Sequence, residues 1–190
     1  RRCSVARRPA AAAAVPERSA LSALHDDVYG YTLLFVVLSG SGLIACDRNN
    51  SSDPYVKVFH GPQKVGKTDS VKQSLSPEWN YACSHRIMAP LKKALILADK
   101  VSFLIFDRDK FSASDPMGVV RLPILDLIEY DRVHDVWREE DYKVMPCEGC
   151  PKPTGTLRLR TAVQVHSRAG APRAVAPTAA GVTPQLLNTL

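Results

Sequence analysis

The chain has 190 residues, 45% hydrophobic and 23% charged, which allows one domain with a substantial core and some additional tail. Its five scattered cysteines do not indicate a disulfide framework and favour a reducing compartment. The longest apolar run, YTLLFVVL at 31–38, is too short to cross a membrane as a helix. The formal net charge is +6. Residues 30–166 contribute +2 of this charge, because they contain 18 basic and 16 acidic side chains.

Both ends of the chain have the composition of disordered segments. Residues 1–29 are rich in Ala and Arg, and residues 167–190 are rich in Ala, Pro and Thr. The first of these is also compatible with an organellar transit segment, although a disordered linker is favoured. The chain begins with Arg1 rather than Met, which indicates a piece of a longer protein. We therefore predict a folded domain at 30–166 between two disordered tails.

Between the tails, short stretches of alternating apolar and polar residues are separated by turn residues, as in half-buried strands. Only residues 89–99, APLKKALILAD, favour a helical turn or two. Eight strands at this spacing predict an all-β fold, an eight-stranded antiparallel β-sandwich. The predicted strands are 31–38, 54–60, 67–72, 79–87, 100–106, 117–124, 136–144 and 155–163.

Five aspartates lie in two loops that follow apolar strands. Asp47 and Asp53 flank one loop, and Asp107, Asp109 and Asp115 lie in the other, FDRDKFSASD. Like charges this close together destabilise a folded loop unless something compensates them. Hard oxygen ligands without His or Cys favour Ca²⁺, which takes roughly six to eight oxygens, over zinc or copper. We expect the loops to meet at one end of the sandwich and to hold about two calcium ions with the help of backbone carbonyls.

Together these elements resemble a C2 domain over residues 31–163. The resemblance is carried by SDPYVKV, with Asp47 six residues before Asp53, then by SLSPEW and FDRDKFSASDPMG, in that order. It implies an antiparallel sandwich that binds Ca²⁺ and then anionic phospholipid membranes, with all five aspartates as ligands in the first and third calcium loops. The first strand leads straight into the first loop, and GTLRLRTAV follows the strand of Trp137. This order is similar to the permuted topology of phospholipase-type C2 domains.

Basic and aromatic residues within the calcium loops are candidate lipid contacts. Arg48, Arg108 and Lys110 lie there, and anionic leaflets attract each nearby basic residue by about 1 kcal/mol. Phe111, at the predicted tip of the third loop, either inserts into the membrane interface or packs back onto its own loop. The resemblance therefore predicts a membrane-facing tip that becomes positive when calcium binds.

A second basic group lies away from the calcium loops. Tyr55, Lys57 and Lys67 match the pattern by which some C2 domains bind phosphoinositides. Asp69 stands where such domains usually carry another Lys, so a plain solvated basic face is the alternative.

The sequence also contains the phosphate-loop pattern G-x₄-G-K-T, as GPQKVGKT at 61–68. That motif requires a following helix, which Pro77 and Trp79 interrupt within three turns. A nucleotide hydrolase is therefore the weaker alternative. A calcium-independent, protein-binding C2 domain is a further alternative, and the complete set of aspartates argues against it.

No catalytic pattern is found. The pair Cys147 and Cys150 in CEGC cannot complete a zinc site, and a loop turn is favoured there. The five histidines show no ligand spacing. We expect a segment without catalytic residues or a nucleic-acid partner, located in the cytoplasm and associated peripherally with membranes on calcium binding.

Overall fold

The computed structural model describes residues 28–47, 49–88, 99–109, 113–134 and 137–167. These residues form two antiparallel sheets of four strands each, which confirms the predicted all-β sandwich. The predicted tails lie outside the described residues, except for residues 28, 29 and 167, which belong to strands that extend beyond the predicted bounds 30–166. The helical turn predicted at 89–99 also lies outside the described residues, apart from Asp99. The elements are β1 Val28–Ser41, β2 Pro54–His60, β3 Gln63–Lys67, β4 Glu78–Met88, β5 Lys100–Asp107, β6 Pro116–Pro123, α1 Ile124–His134, β7 Arg138–Lys143 and β8 Thr156–Ser167.

The last strand lies in the interior of its sheet. The first sheet has the order β4-β1-β8-β7, and the second has the order β3-β2-β5-β6. Leu34 of β1 is opposite Ser84 of β4 on one side and Ala162 of β8 on the other. The first strand thus leads directly into the first loop, and the C-terminal strand fills the position between β1 and β7. This arrangement confirms the phospholipase-type topology.

The core lies between the two sheets and is formed by alternate residues of the facing strands. Phe35 of β1 and Phe103 of β5 meet edge to face, with their ring centroids 5.4 Å apart. Both rings are completely buried, and burying each side chain contributes about 1.5–3 kcal/mol. This packing fixes one sheet against the other and so fixes where the loops at the ends of the strands emerge.

The strand predicted at 67–72 is wrong, because β3 spans Gln63–Lys67 and the chain then becomes a loop. Thr68 ends the strand, since its Oγ1 accepts the N–H of Val56 at 2.9 Å in place of a backbone carbonyl. The loop then crosses the edge of β2, where the N–H of Val71 donates to the carbonyl of Pro54.

The helix α1 was not predicted. Its buried residues Ile124, Leu127 and Ile128 follow the i, i+3, i+4 spacing of a helix, but the apolar stretch is short. The helix spans 11 residues, and none of the helices in the described ranges has the length and apolarity to cross a lipid bilayer.

Candidate functional site

The predicted calcium loops emerge at the same end of the sandwich because β2 and β5 are antiparallel neighbours. Pro54, the first residue of β2, is opposite Asp107, the last residue of β5. We call residues 42–53 the first loop, residues 68–77 the second loop and residues 108–115 the third loop. The first and third loops therefore begin or end at adjacent positions of one sheet.

Hydrogen bonds join three of the predicted ligands. The N–H of Asp53 donates to Oδ1 of Asp107 at 2.6 Å, and the N–H of Asp107 donates to the carbonyl of Asp115 at 2.8 Å. The N–H of Gln73 in the second loop donates to Oδ1 of Asp53 at 2.8 Å. All three loops are thus connected through Asp53 and Asp107, and Gln73 is a participant that the sequence did not reveal.

Asp107 has the most unusual environment of the five aspartates, because only 2% of its surface is exposed. Burial raises the pKa of its carboxyl group, and the negative charges of Asp47 and Asp109 raise this pKa further. Hydrogen bonds from the Asp53 N–H and from Ser52 act in the opposite direction. Asp47, Asp107 and Asp109 therefore lie close enough together for their charges to interact, and this repulsion disfavours a further negative charge.

The donor chemistry of these loops fits a hard cation, since carboxylate and carbonyl oxygens are the ligands that Ca²⁺ prefers. Within the described residues, however, no three Asp, Glu, His or Cys side chains are gathered into a metal-binding group. The carboxylates of Asp53 and Asp107 accept backbone N–H bonds instead. A calcium ion at this end of the sandwich would therefore have to compete with these hydrogen bonds for the carboxylate oxygens.

The loop residues predicted to contact lipid are only partly described. Arg108 is exposed, and its guanidinium donates to Oγ of Ser70 in the second loop at 3.3 Å. Arg48, Lys110 and Phe111 lie outside the described residues.

The structure brings together Tyr55, Lys57 and Lys67 on the outer face of the second sheet. Lys57 is opposite Lys67 in the β2–β3 register. The Lys67 ammonium lies 4.6 Å from the centroid of the Tyr55 ring, and the Lys57 ammonium lies 4.2 Å from that of Phe106. Tyr55 and Phe106 stack with centroids 5.7 Å apart. We call these four residues the lysine face. The sequence did not reveal its fourth member, Phe106, because the pairing of Phe106 with Tyr55 depends on the register of the neighbouring strands β2 and β5.

The residues of the phosphate-loop pattern have structural roles in this fold. Gly61 has a φ of +54° in the turn between β2 and β3. A Cβ on Gly66 would lie 3.0 Å from the Tyr81 ring, so this glycine allows a close approach of β3 and β4. Thr68 is buried and bonded to Val56, and no helix follows it in the second loop. The phosphate-loop alternative is therefore wrong.

A cluster that the sequence did not reveal links the two sheets at the opposite end of β2 from the calcium loops. Nδ1 of His60 on β2 lies 2.8 Å from Nε2 of His85 on β4, and Nε2 of His60 bonds to Oδ2 of Asp99. Burial lowers the pKa of His85, and the neighbouring His60 lowers it further. Since the three residues are far apart in sequence, spacing alone could not have identified them.

Part of this chain is similar in sequence to several known proteins. Synaptotagmin 1 of Drosophila melanogaster is 32% identical over 122 residues, covering 61% of this chain and 24% of that protein. Tricalbin-3 of Saccharomyces cerevisiae is 33% identical over 91 residues, covering 48% and 6%. A probable serine/threonine-protein kinase of Dictyostelium discoideum is 29% identical over 124 residues, covering 65% and 12%. The chain thus spans between 6% and 24% of the length of these relatives.

Solved structures share its fold. A C2 domain of plant Extended Synaptotagmin 1 superposes with a TM-score of 0.56 at 17% identity, covering 76% of this chain and all of that one. Human GIVD cytosolic phospholipase A2 superposes with a TM-score of 0.57 at 18% identity, covering 78% of this chain and 18% of that one. The family model of the C2 domain matches residues 31–139, which is more than half of the chain. The chain therefore belongs to the C2 domain family.

Proposed function

We propose that this domain binds anionic phospholipid membranes in a calcium-dependent manner and acts as a targeting module of a larger protein. The observation that carries the proposal is the environment of Asp107. Its carboxylate is buried between the first and third loops, and the charges of Asp47 and Asp109 act on it. Such a carboxylate is stabilised by a nearby cation, and its neighbours supply further oxygen ligands of the type that Ca²⁺ prefers.

The ligands would be Asp47, Asp53, Asp107, Asp109 and Asp115, with about two ions as the stoichiometry that five carboxylates support. When bound, Ca²⁺ supplies positive charge that neutralises these carboxylates. Residues 30–166 carry 18 basic and 16 acidic side chains, a net charge of +2, which becomes +7 once the five aspartates are neutralised. The loop end of the domain would then change from a negative to a positive surface, which an anionic leaflet attracts.

Basic loop residues would provide the contacts with lipid headgroups. Arg108 is exposed beside the second loop, and Arg48 and Lys110 lie in the same loops along the sequence. Phe111, four residues after Asp107, is an apolar side chain suited to insertion at the membrane interface.

The lysine face is a second lipid contact, suited to a phosphoinositide headgroup. Two ammonium groups lie over the stacked rings of Tyr55 and Phe106, so both charges are held on one side of the sheet. A polyphosphorylated ring offers several negative groups to such a pair. The basic charges of Lys57 and Lys67 support this contact, whereas Asp69 in the adjacent loop opposes it.

We propose no catalytic role for this segment. Any catalytic activity would belong to other parts of a larger protein, which would work in the cytoplasm and associate peripherally with membranes when calcium rises. A calcium-independent, protein-binding C2 domain is the alternative, and the observation that no metal-binding group is gathered among the described residues favours it.

Co-sedimentation with liposomes separates these functions. Neutral vesicles, vesicles with phosphatidylserine and vesicles with a phosphoinositide are each tested in calcium and in chelator. We expect binding to anionic vesicles in calcium and its loss in chelator. Binding that is absent from every vesicle in calcium would favour the protein-binding alternative.

A further inference from the structure

The segment after β7 forms a small hairpin that carries two cysteines. Met145 pairs with Val119 of β6 through two backbone hydrogen bonds of 2.9 and 3.0 Å. Cys147 and Cys150 then pair with each other, and each N–H donates to the other carbonyl at 3.1 Å. Gly149, between them, has a φ of +81°, which a tight hairpin turn requires and which other residues rarely adopt. We call residues 145–150 the cysteine hairpin.

This pairing sets the distance between the two cysteines. Two residues that exchange both backbone bonds are a closely spaced antiparallel pair, with Cα atoms about 5.5 Å apart and side chains on the same face. Disulfides span Cα distances of roughly 4.4–6.8 Å. A pair of this kind has a Cα separation within the disulfide range, but its Cβ atoms, about 5.5 Å apart, must approach to the roughly 3.5–4.5 Å that an S–S bond requires. Both cysteines are free thiols, and the hairpin would tighten when the bond closes.

The two thiols differ in access to solvent. Cys150 is 4% exposed, whereas Cys147 is only half-buried. Burial raises the pKa of Cys150, and the neighbouring Cys147 raises it further. Cys147 is therefore the thiol that meets a soluble oxidant first, and Cys150 is the thiol held next to it.

We propose that Cys147 and Cys150 form a reversible redox pair, closed to a disulfide by a peroxide and reopened by a dithiol reductant. The Cys147 thiolate attacks hydrogen peroxide, so that an S–O bond forms, the O–O bond breaks and one water leaves after protonation. The Cys150 thiol, which loses its proton as it reacts, then attacks the sulfur of this sulfenic acid. The S–S bond forms, the S–O bond breaks and the oxygen leaves as a second water. The two sulfurs lose two electrons, which reduce the peroxide.

The position of the cysteine hairpin connects it with the candidate calcium loops. A Cβ on Gly149 would lie 2.5 Å from Cγ of Pro116, so the tip of the hairpin packs against the residue that follows Asp115. Cys46, next to the proposed ligand Asp47, is close enough to Cys150 for the charge of Cys150 to contribute to the raised pKa of Cys46, which is raised mainly by burial. A disulfide between Cys46 and Cys150 is thus the competing product that an experiment must distinguish.

Peptide mapping tests the proposal directly. The native protein is treated with hydrogen peroxide, its remaining thiols are alkylated, and it is digested with trypsin. Both cysteines lie in one tryptic peptide, residues 144–158, because trypsin does not cut between Lys152 and Pro153. Disulfide closure lowers the mass of this peptide by about 2 Da, blocks its alkylation and is reversed by dithiothreitol.

Variants assign the bond. C147S and C150S should each abolish the mass loss, and C46S, the matched control, should retain it. G149A keeps both thiols but strains the turn and its contact with Pro116, so closure should be slower by several-fold. A wild-type peptide with both thiols alkylated after peroxide, a cross-link to the peptide of Cys46, or equal closure rates in G149A and the wild type would each overturn the proposal.

Discussion

The backbone N–H of Asp53 donates a hydrogen bond to Oδ1 of Asp107, with the two atoms 2.6 Å apart. This bond joins the end of the first loop to the start of the third across 54 positions of sequence. It also occupies an oxygen of the carboxylate that we propose as a central calcium ligand. The loop end of the domain is therefore held together by protein hydrogen bonds, and calcium would act on an assembled but electrostatically unfavourable arrangement.

Calcium should stabilise the folded domain, because the ion binds the assembled loops and scarcely the unfolded chain. The expected gain is about 2.7 kcal/mol at a free ion concentration a hundred times the dissociation constant. Thermal denaturation in calcium and in chelator measures it. The double variant D107N/D109N should lose the gain, whereas D141N, a single Asp-to-Asn change at an exposed position of β7, should keep it. Identical melting curves with and without calcium in the wild type would contradict the proposed metal site.

Without calcium, D107N should be more stable than the wild type at neutral pH. The pKa of Asp107 is raised in the folded state, mainly by burial and then by Asp47 and Asp109. A raised pKa means that the folded protein binds a proton more readily than the unfolded chain, so stability falls as the pH rises through the folded pKa. Asparagine removes this cost and keeps the oxygen that accepts the Asp53 N–H. Urea denaturation at neutral pH in chelator checks the sign, and a clear loss of stability would show that the carboxylate charge is already compensated.

The lysine face and the calcium loops should respond separately to mutation. K67A removes an ammonium that lies 4.6 Å from the Tyr55 ring centroid, so it should weaken phosphoinositide binding and leave calcium affinity unchanged. K64A, with the same charge change on the same strand, is the control and should have the smaller effect. Calorimetry with calcium and flotation with phosphoinositide vesicles measure the two affinities. Equal losses of phosphoinositide affinity in K64A and K67A would show that the lysine face acts only as part of a general basic surface.

Thr68 should contribute to the stability of the fold and not to nucleotide binding. In T68V the N–H of Val56 loses its partner in a buried position, which costs about 1–3 kcal/mol. T154V is the matched control, since Thr154 bonds to the carbonyl of Gly42 at an exposed site. Urea denaturation gives both free energies of unfolding. Calorimetry with Mg²⁺ and ATP or GTP should show no saturable binding to the wild type, and binding that depends on Lys67 would contradict the fold.

Stability should decrease in mild acid. The pKa of His85 is lowered by burial first and by His60 second, with Asp99 acting in the opposite direction, and burial likewise lowers the pKa of His166. The unfolded chain therefore binds more protons than the folded protein in mild acid. Stability is lost as the pH falls through about 6.5, the ordinary pKa of histidine. Free energies of unfolding at several pH values give the slope. H85Q should reduce it, and an unchanged slope would exclude His85 as a source.

Local sequence patterns predicted most of the fold. Seven of the eight strands were predicted at nearly their observed positions, because alternation of apolar residues and intervening turns is a local signal. The error at 67–72 arose because Thr68 continues the alternation but uses its side chain where a strand would use its backbone. The helix Ile124–His134 was missed although its apolar spacing is helical, since three buried residues are a weak signal.

The candidate site was less accessible to sequence reasoning. The five aspartates were identified from their positions after strands, and their roles as ligands stay predictions. Contacts between distant residues gave no local signal. Phe106 beneath Lys57 and the approach of Gly149 to Pro116 each depend on strand pairing that only the assembled sandwich defines.

The interior position of β8 has a consequence for the order of folding. Leu34 and its neighbour across the sheet, Ala162, lie near opposite ends of the domain's sequence, so β1 remains without one of its two partners until the last strand leaves the ribosome. Such long-range pairing gives the domain a high contact order, which slows folding. Residues 31–139, the part that the family model matches, end at the second residue of β7 and therefore lack β8, the strand that pairs with β1. In a chain that ended at residue 139, the side of β1 that normally pairs with β8 would be an exposed strand edge, and such edges pair with other chains and promote aggregation.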